Sequence, residues 1–324
     1  MHRASKDSCF ALRCTGDDQR IEDPGGGGAR ADGAADGRPP GGPRNSLRVW
    51  NRTRGRADGL PGATVCASPE EAAAGASLVI TSLADDAAVR EVVLGAHGVL
   101  AGLGPGAVHL GTSTVSIRLA RELAAAHAAA GRTFVATPVL GRPDAAGRGE
   151  LWILTGGDPA ALEQAQPALA VLGRGQVRLG DAPQAMLGKI LANFMIAGTL
   201  ELIAEAITLG EKGGIAPAAL VGMLADTLFG SPIVKGYGPR LAAGQYLPAG
   251  FTVPLGLKDA ELALEAAHEL RAPLPAASLV RDHLLGALAR GRESWDWSAL
   301  ATAVREAAGL AAGDGTSHAA PAQT

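Results

Sequence analysis

Ser46-Leu47-Arg48-Val49-Trp50-Asn51-Arg52-Thr53 decides the fold: a short strand over Ser46–Asn51 that runs directly into a polar turn. In a doubly wound sheet such a turn is where the adenosine ribose of a dinucleotide sits. An acidic residue there binds the ribose hydroxyls of NAD, and an arginine accommodates the 2′-phosphate of NADP. Asn51, Arg52 and Thr53 are therefore candidate cofactor contacts, and Arg52 points to NADP with NAD as the alternative. The competing reading of Arg52 is a solvated loop residue. The next strand, Leu78-Val79-Ile80-Thr81, leads into Ser82-Leu83-Ala84-Asp85, whose backbone groups would line the same cofactor. Read alone, it is an ordinary strand end.

Outward from these two strands the alternation continues. Further β-rich runs fall at 108–111, 133–136, 151–154 and 176–179, with amphipathic helices at 69–74, 87–94 and 116–130 between the strands. That order implies an α/β domain built on a mostly parallel, doubly wound sheet. From Pro183 to Leu310 the pattern is almost wholly helical, broken at Gly213-Gly214, Gly230-Ser231-Pro232, Pro248 and Pro273. The expected organisation is an incomplete Rossmann-like domain over 46–182 and an all-helical substrate and dimerisation domain over 183–312. A polar tail over 313–324 is expected to fray. Residues 1–45 show no hydrophobic periodicity and take the place of the first strand and helix.

Composition narrows the partners. Hydrophobic residues at 47% and charged residues at 19% give a globular balance over 324 residues, enough for two cores. A net charge of -3 with no basic stripe, and only 3% aromatic residues, argue against a nucleic-acid partner. Cys9, Cys14 and Cys66 fit no disulfide framework and no metal spacing, which suits a reducing cytoplasm and no metal centre. The apolar helix around 185–209 carries Lys189, Asn193, Glu201 and Glu205, which a bilayer span tolerates poorly, so no membrane is expected.

Gly188-Lys189-Ile190-Leu191-Ala192-Asn193 places an ammonium and a carboxamide four residues apart, on one face of a helix. Such a pair can hold a hydroxyl or carbonyl oxygen, and the lysine can exchange a proton with it. The plainer reading is a lysine snorkelling to water and an asparagine capping a neighbour.

From Ser46 to about Leu310 the chain resembles the β-hydroxyacid dehydrogenases, the 3-hydroxyisobutyrate dehydrogenase and glyoxylate reductase group related to 6-phosphogluconate dehydrogenase. Five blocks carry the resemblance in order. They are Val49-Trp50-Asn51-Arg52-Thr53, Gly111-Thr112-Ser113-Thr114-Val115-Ser116, and Thr137-Pro138-Val139-Leu140-Gly141-Arg142-Pro143 with Gly149-Glu150-Leu151. Gly188-Lys189-x3-Asn193 and Phe251-x6-Lys258-Asp259 complete the set.

The resemblance implies hydride transfer between NADP or NAD and a small β-hydroxy acid or its semialdehyde. It implies Lys189 as general acid/base and Asn193 as its partner. It places Ser113 and the backbone near Gly141 on the substrate carboxylate, and Thr114, Phe251, Lys258 and Asp259 on the cofactor, beside Ser82 and Leu83 read from the strand end above. Two departures loosen the substrate. Gly141 is followed by Arg142 where many members have a second glycine, which makes Arg142 a candidate bidentate carboxylate contact. His109-Leu110-Gly111 lacks the acidic residue often found before the Ser-Thr pair. In this family a helix as long as the one beginning at Pro183 joins the domains and packs across a homodimer.

The Gly-rich fingerprint that should precede Ser46 is absent, and Gly25-Gly26-Gly27-Gly28 follows no apolar strand. Read one base forward, the codons for Gly28 to Gly37 can spell Gly-Leu-Gly-x-Met-Gly-x-Pro-Met-Ala, at the family's distance from Trp50-Asn51-Arg52. Residues up to about Asn45 are therefore expected to be an out-of-frame reading, with a start taken in the wrong frame and one frame change near Pro43–Ser46. As written, the chain is expected to leave both neighbours of the missing central strand unpaired, and to dissolve poorly. Two other readings stand beside the dehydrogenase: an imine reductase on the same scaffold, against which Lys189 argues, and a non-catalytic dimeric remnant.

Overall fold

The computed structural model describes residues 8–13, 46–56, 60 and 62–313. The readings of residues 14–45, with their glycine run, and of the tail beyond 313 lie outside them. The chain forms two compact units, Met1–Lys189 and Ile190–Thr324.

The first unit carries a six-stranded sheet. Its strands are β1 (Ser8–Arg13), β2 (Ser46–Asn51), β3 (Ala63–Val65), β4 (Leu78–Ser82), β5 (Val108–Gly111) and β6 (Thr133–Ala136), in spatial order β3-β2-β1-β4-β5-β6. The pairs β2–β3, β4–β5 and β5–β6 are parallel, as strand-helix alternation requires. A second, three-stranded sheet holds β7 (Val139–Leu140), β8 (Leu151–Thr155) and β9 (Gly173–Arg178), with β7–β8 antiparallel and β8–β9 parallel.

The helices start where the sequence caps them. In α1 (Pro69–Ala73) Ser68 accepts from Glu71 N–H, and in α2 (Asp86–Leu94) Asp85 accepts from Ala88 N–H. The short α3 (Val99–Gly102) precedes β5. Ser116 caps α4 (Ile117–Ala129), and α5 (Pro143–Gly147) and α6 (Pro159–Leu172) both begin on proline, whose missing N–H costs nothing there. Leu110, Val135, Ile153, Ala165 and Leu169 meet in the core between sheets and α6.

The expected gap between β2 and β4 is filled. Ser8–Arg13 lies between them and pairs with both, so neither is left as an open edge. It runs antiparallel to each, which backbone hydrogen bonding permits as readily as the parallel sense.

In the second unit the helices are α7 (Ala182–Lys212, from Ile190 onward), α8 (Pro217–Asp226), α9 (Pro232–Ala242), α10 (Val253–Glu269), α11 (Pro275–Ala289) and α12 (Ala301–Ala307). By length and composition α7 is apolar enough to cross a membrane. Its Leu200, Ile203 and Ile207 are instead buried in a helical core with Tyr246, Leu284 and Leu300, the behaviour of a core helix.

Candidate active site

In the first unit the candidates gather at the edge where the parallel strands end, the place where open α/β sheets bind ligands. β2 ends on Asn51, whose Oδ1 accepts the Thr53 N–H at 2.8 Å and so shapes the turn that exposes Arg52. β4 ends on Ser82, and the N–H of the next residue, Leu83, donates to Ser113 Oγ at 2.7 Å. Ser113 is buried, and with its oxygen taken as acceptor the hydroxyl offers a ligand its proton. Thr114 beside it is half-buried. Gly141 opens the next loop with φ 140°, a backbone state that disfavours other residues, and a Cβ there would lie 2.6 Å from Leu151 Cδ2. Arg142 is half-buried at the start of α5.

Lys189 and Asn193 both lie on α7, which is helical without a break through 182–212, so one turn separates them on one face. Lys189 is half-buried and Asn193 buried. In the second unit Asn193 Nδ2 donates to Asp259 Oδ2 at 2.5 Å, and Lys258 Nζ lies 2.8 Å from Asp259 Oδ1. Asp259 is 3% exposed, so this carboxylate orients Asn193 and pairs Lys258 from inside the fold. An ionised carboxylate only accepts, which fixes which end of the Asn193 amide faces it.

Phe251 is edge-on to Trp297, 5.0 Å between centroids, and Trp297 Nε1 donates to Tyr237 Oη at 2.9 Å.

Several residues that build these surroundings carry no pattern in the sequence. Asp296 is fully buried; its Oδ2 accepts from Gly250 and Phe251 N–H, and its Oδ1 from Ser298 N–H and Oγ–H, which fixes the loop bearing Phe251. His127 Nδ1 lies 2.7 Å from Leu123 O, His127 Nε2 lies 3.0 Å from His109 Nδ1, and His109 Nε2 lies 2.9 Å from Thr81 Oγ1. Only one assignment satisfies every atom: each Nδ1 donates, and Thr81 donates to His109, with both imidazoles neutral. Burial holds His109 well below the usual histidine range, with His127 adding to it, and lowers His127 as well. Thr137 Oγ1, at the head of the Gly141 loop, is buried without a hydrogen-bond partner among the described residues.

The residues at the β2 and β4 ends fit the adenosine side of a dinucleotide. Among the described residues the pyrophosphate side does not fit, because a glycine turn must follow the central strand at the ligand edge. Here that strand brings its first residue, Ser8, to the ligand edge, opposite Asn51 and Ser82.

Sheet and helical unit together define the class, a two-part oxidoreductase of the NAD(P)-dependent kind. Residues 43–182 match the NAD binding domain of 6-phosphogluconate dehydrogenase, and residues 184–304 match the NAD-binding domain of NADP-dependent 3-hydroxyisobutyrate dehydrogenase. An oxidoreductase of Bacillus subtilis (strain 168) is 39% identical over 262 residues, 80% of this chain and 91% of its own. Glyoxylate/succinic semialdehyde reductase 1 of Arabidopsis thaliana is 32% identical over 261 residues, 80% and 90% of the two chains. The solved 3-hydroxyisobutyrate dehydrogenase of Mycobacterium tuberculosis superposes with TM-score 0.68 at 29% identity, covering 75% of this chain and 84% of that one. The chain belongs to the β-hydroxyacid dehydrogenase family and is an oxidoreductase of the 3-hydroxyisobutyrate dehydrogenase type, a family whose cofactor is NADP or NAD.

Proposed function

We propose that the chain interconverts a small carboxylate-bearing aldehyde or semialdehyde and its β-hydroxy acid, with Lys189 exchanging the proton at the reacting oxygen. The observation that supports this most is the hold on Asn193. With one amide N–H given to buried Asp259, the rest of that amide is fixed one helical turn from Lys189. A substrate oxygen bound there meets an oriented amide and a proton donor together, the arrangement general acid catalysis needs. Ser113 gives its proton to the substrate carboxylate, the Gly141 backbone supplies a second neutral contact, and Arg142 a charged one.

The hydride is the nicotinamide's to supply. Arg52 favours NADP, and Asn51, Thr53, Ser82, Leu83, Thr114, Phe251 and Lys258 are its further contacts, with Asp259 acting through Asn193 and Lys258. The domains divide at 182/183. Residues up to about Asn45 are an out-of-frame reading. The protein works as a soluble cytoplasmic homodimer: Leu191, Met195, Leu202 and Leu209 leave an exposed apolar seam at intervals of four and seven residues along α7, which a second copy covers.

The test is NADPH consumption with glyoxylate, succinic semialdehyde and a cyclic imine, using the chain in both reading frames. Turnover of an aldehyde acid, lost by about 10²–10⁴-fold in kcat on Lys189→Met with NADPH affinity unchanged, is the expected result. Turnover of the imine alone would overturn it.

A further inference from the structure

β1 sits in the centre of the six-stranded sheet with its direction reversed. Ser8 pairs with Asn51 and Ser82, the last residues of β2 and β4, while Arg13 pairs with Ser46 and Leu12 with Leu78, their first. Arg13, the last residue of the strand, therefore lies at the edge opposite the crevice. A pyrophosphate needs backbone N–H groups of a glycine turn and the start of a helix at the crevice edge, immediately after the central strand. No choice of side chains repairs this, because the fault is one of strand direction. The match to the family's NAD binding domain accordingly begins only at residue 43.

Codons compatible with these residues can encode a strand of the correct sense. Shifted one base forward, Asp23-Pro24-Gly25-Gly26-Gly27 become AYC, CNG, GNG, GNG and GNG, which can spell Ile-Leu-Val-Val-Val. This apolar, largely β-branched run ends where Gly28 opens the shifted Gly-Leu-Gly-x-Met-Gly, and the shifted codon of Pro40 can encode leucine in the helix that follows. One shift is thus compatible with strand, Gly-x-Gly-x-x-Gly turn and helix in the required order.

We propose that the described residues of the chain in its present frame offer no seat for the dinucleotide pyrophosphate, because Ser8–Arg13 fills the central strand position backwards, and that the shifted reading of codons 23–42 supplies the parallel strand and glycine turn that bind it. The proposal rests on the chain being an NAD(P)-dependent reductase. The experiment compares NADPH binding, by nicotinamide fluorescence and calorimetry, for the chain in its present frame and for one shifted by a base across codons 23–42. Losing two charge-assisted hydrogen bonds to phosphate is worth about a hundredfold in Kd, so the shifted chain is expected to bind at least that much tighter. Equal affinity would overturn the proposal.

Should the present-frame chain not fold, peptides of the protein from its natural host decide. Shifted-frame peptides between codons 23 and 42 support the proposal, and present-frame peptides from protein that retains NADPH overturn it. A shifted chain that binds NADPH but turns over no aldehyde acid leaves this inference standing and removes the substrate reading instead.

Discussion

At the scale of single residues, buried Asp259 holds two candidate site residues at once, Asn193 and Lys258. Replacing it by alanine removes the acceptor of this Asn193 amide N–H and the carboxylate that Lys258 Nζ meets at 2.8 Å. Asp259→Ala is expected to cost about 1–3 kcal/mol of stability, read by urea denaturation, because a buried donor loses its acceptor. It is also expected to lower kcat/KM about tenfold or more, the penalty of a misplaced substrate contact. A variant of normal activity would mean that Asn193 does not need orienting. Thr137 gives a cleaner case. Its buried hydroxyl has no partner among the described residues, so Thr137→Val should stabilise the protein by about 1 kcal/mol in the same assay. Neither role was legible beforehand. A spacing of four residues announces that Lys189 and Asn193 share a face, but Asp259 lies far along the chain and reaches Asn193 only through the packing of α10 on α7.

At the scale of elements, the strands of the first unit were readable because each is a short apolar run between capping residues. Ser68, Asp85 and Ser116 are the side chains that start α1, α2 and α4. β3 and β7, of three and two residues, carry too little periodicity to be read. β1 was missed for another reason: Ser8–Arg13 is a lone run followed by no helical pattern, and strand direction is set by partners and never by local sequence. The exposed seam on α7 has a sharper consequence. Leu202 is 68% and Leu209 75% exposed, in a helix about 45 Å long. Leu202→Glu is expected to convert a dimer into a monomer by sedimentation, while the far-ultraviolet circular dichroism stays that of the parent. A dimer that survives it would place the contact elsewhere.

Across the whole molecule the two units carry histidines of opposite habit. His109 and His127 are held neutral by burial between β5, α4 and Thr81. Their folded-state pKa values lie below the unfolded value of about 6.5, so the unfolded chain takes up protons that the fold refuses. Their contribution is complete above that pH and falls as the pH drops below it, by at most about 1.4 kcal/mol per pH unit for each histidine until its folded pKa is reached.

His283 behaves the other way. Its hydrogen bond to Glu201, at 3.0 Å, raises its pKa against the opposing effect of burial, with Glu205 and Asp282 adding to the rise. That contribution is complete below the unfolded value and is lost as the pH climbs through the raised one. Hydrogen exchange, corrected for its intrinsic pH dependence, separates the two. Amides of β5 and α4 should lose protection as the pH falls below about 6.5, and those of α11 around His283 as it rises above about 6.5. Parallel trends in both units would show that global unfolding, rather than each unit's own histidines, sets the response to pH.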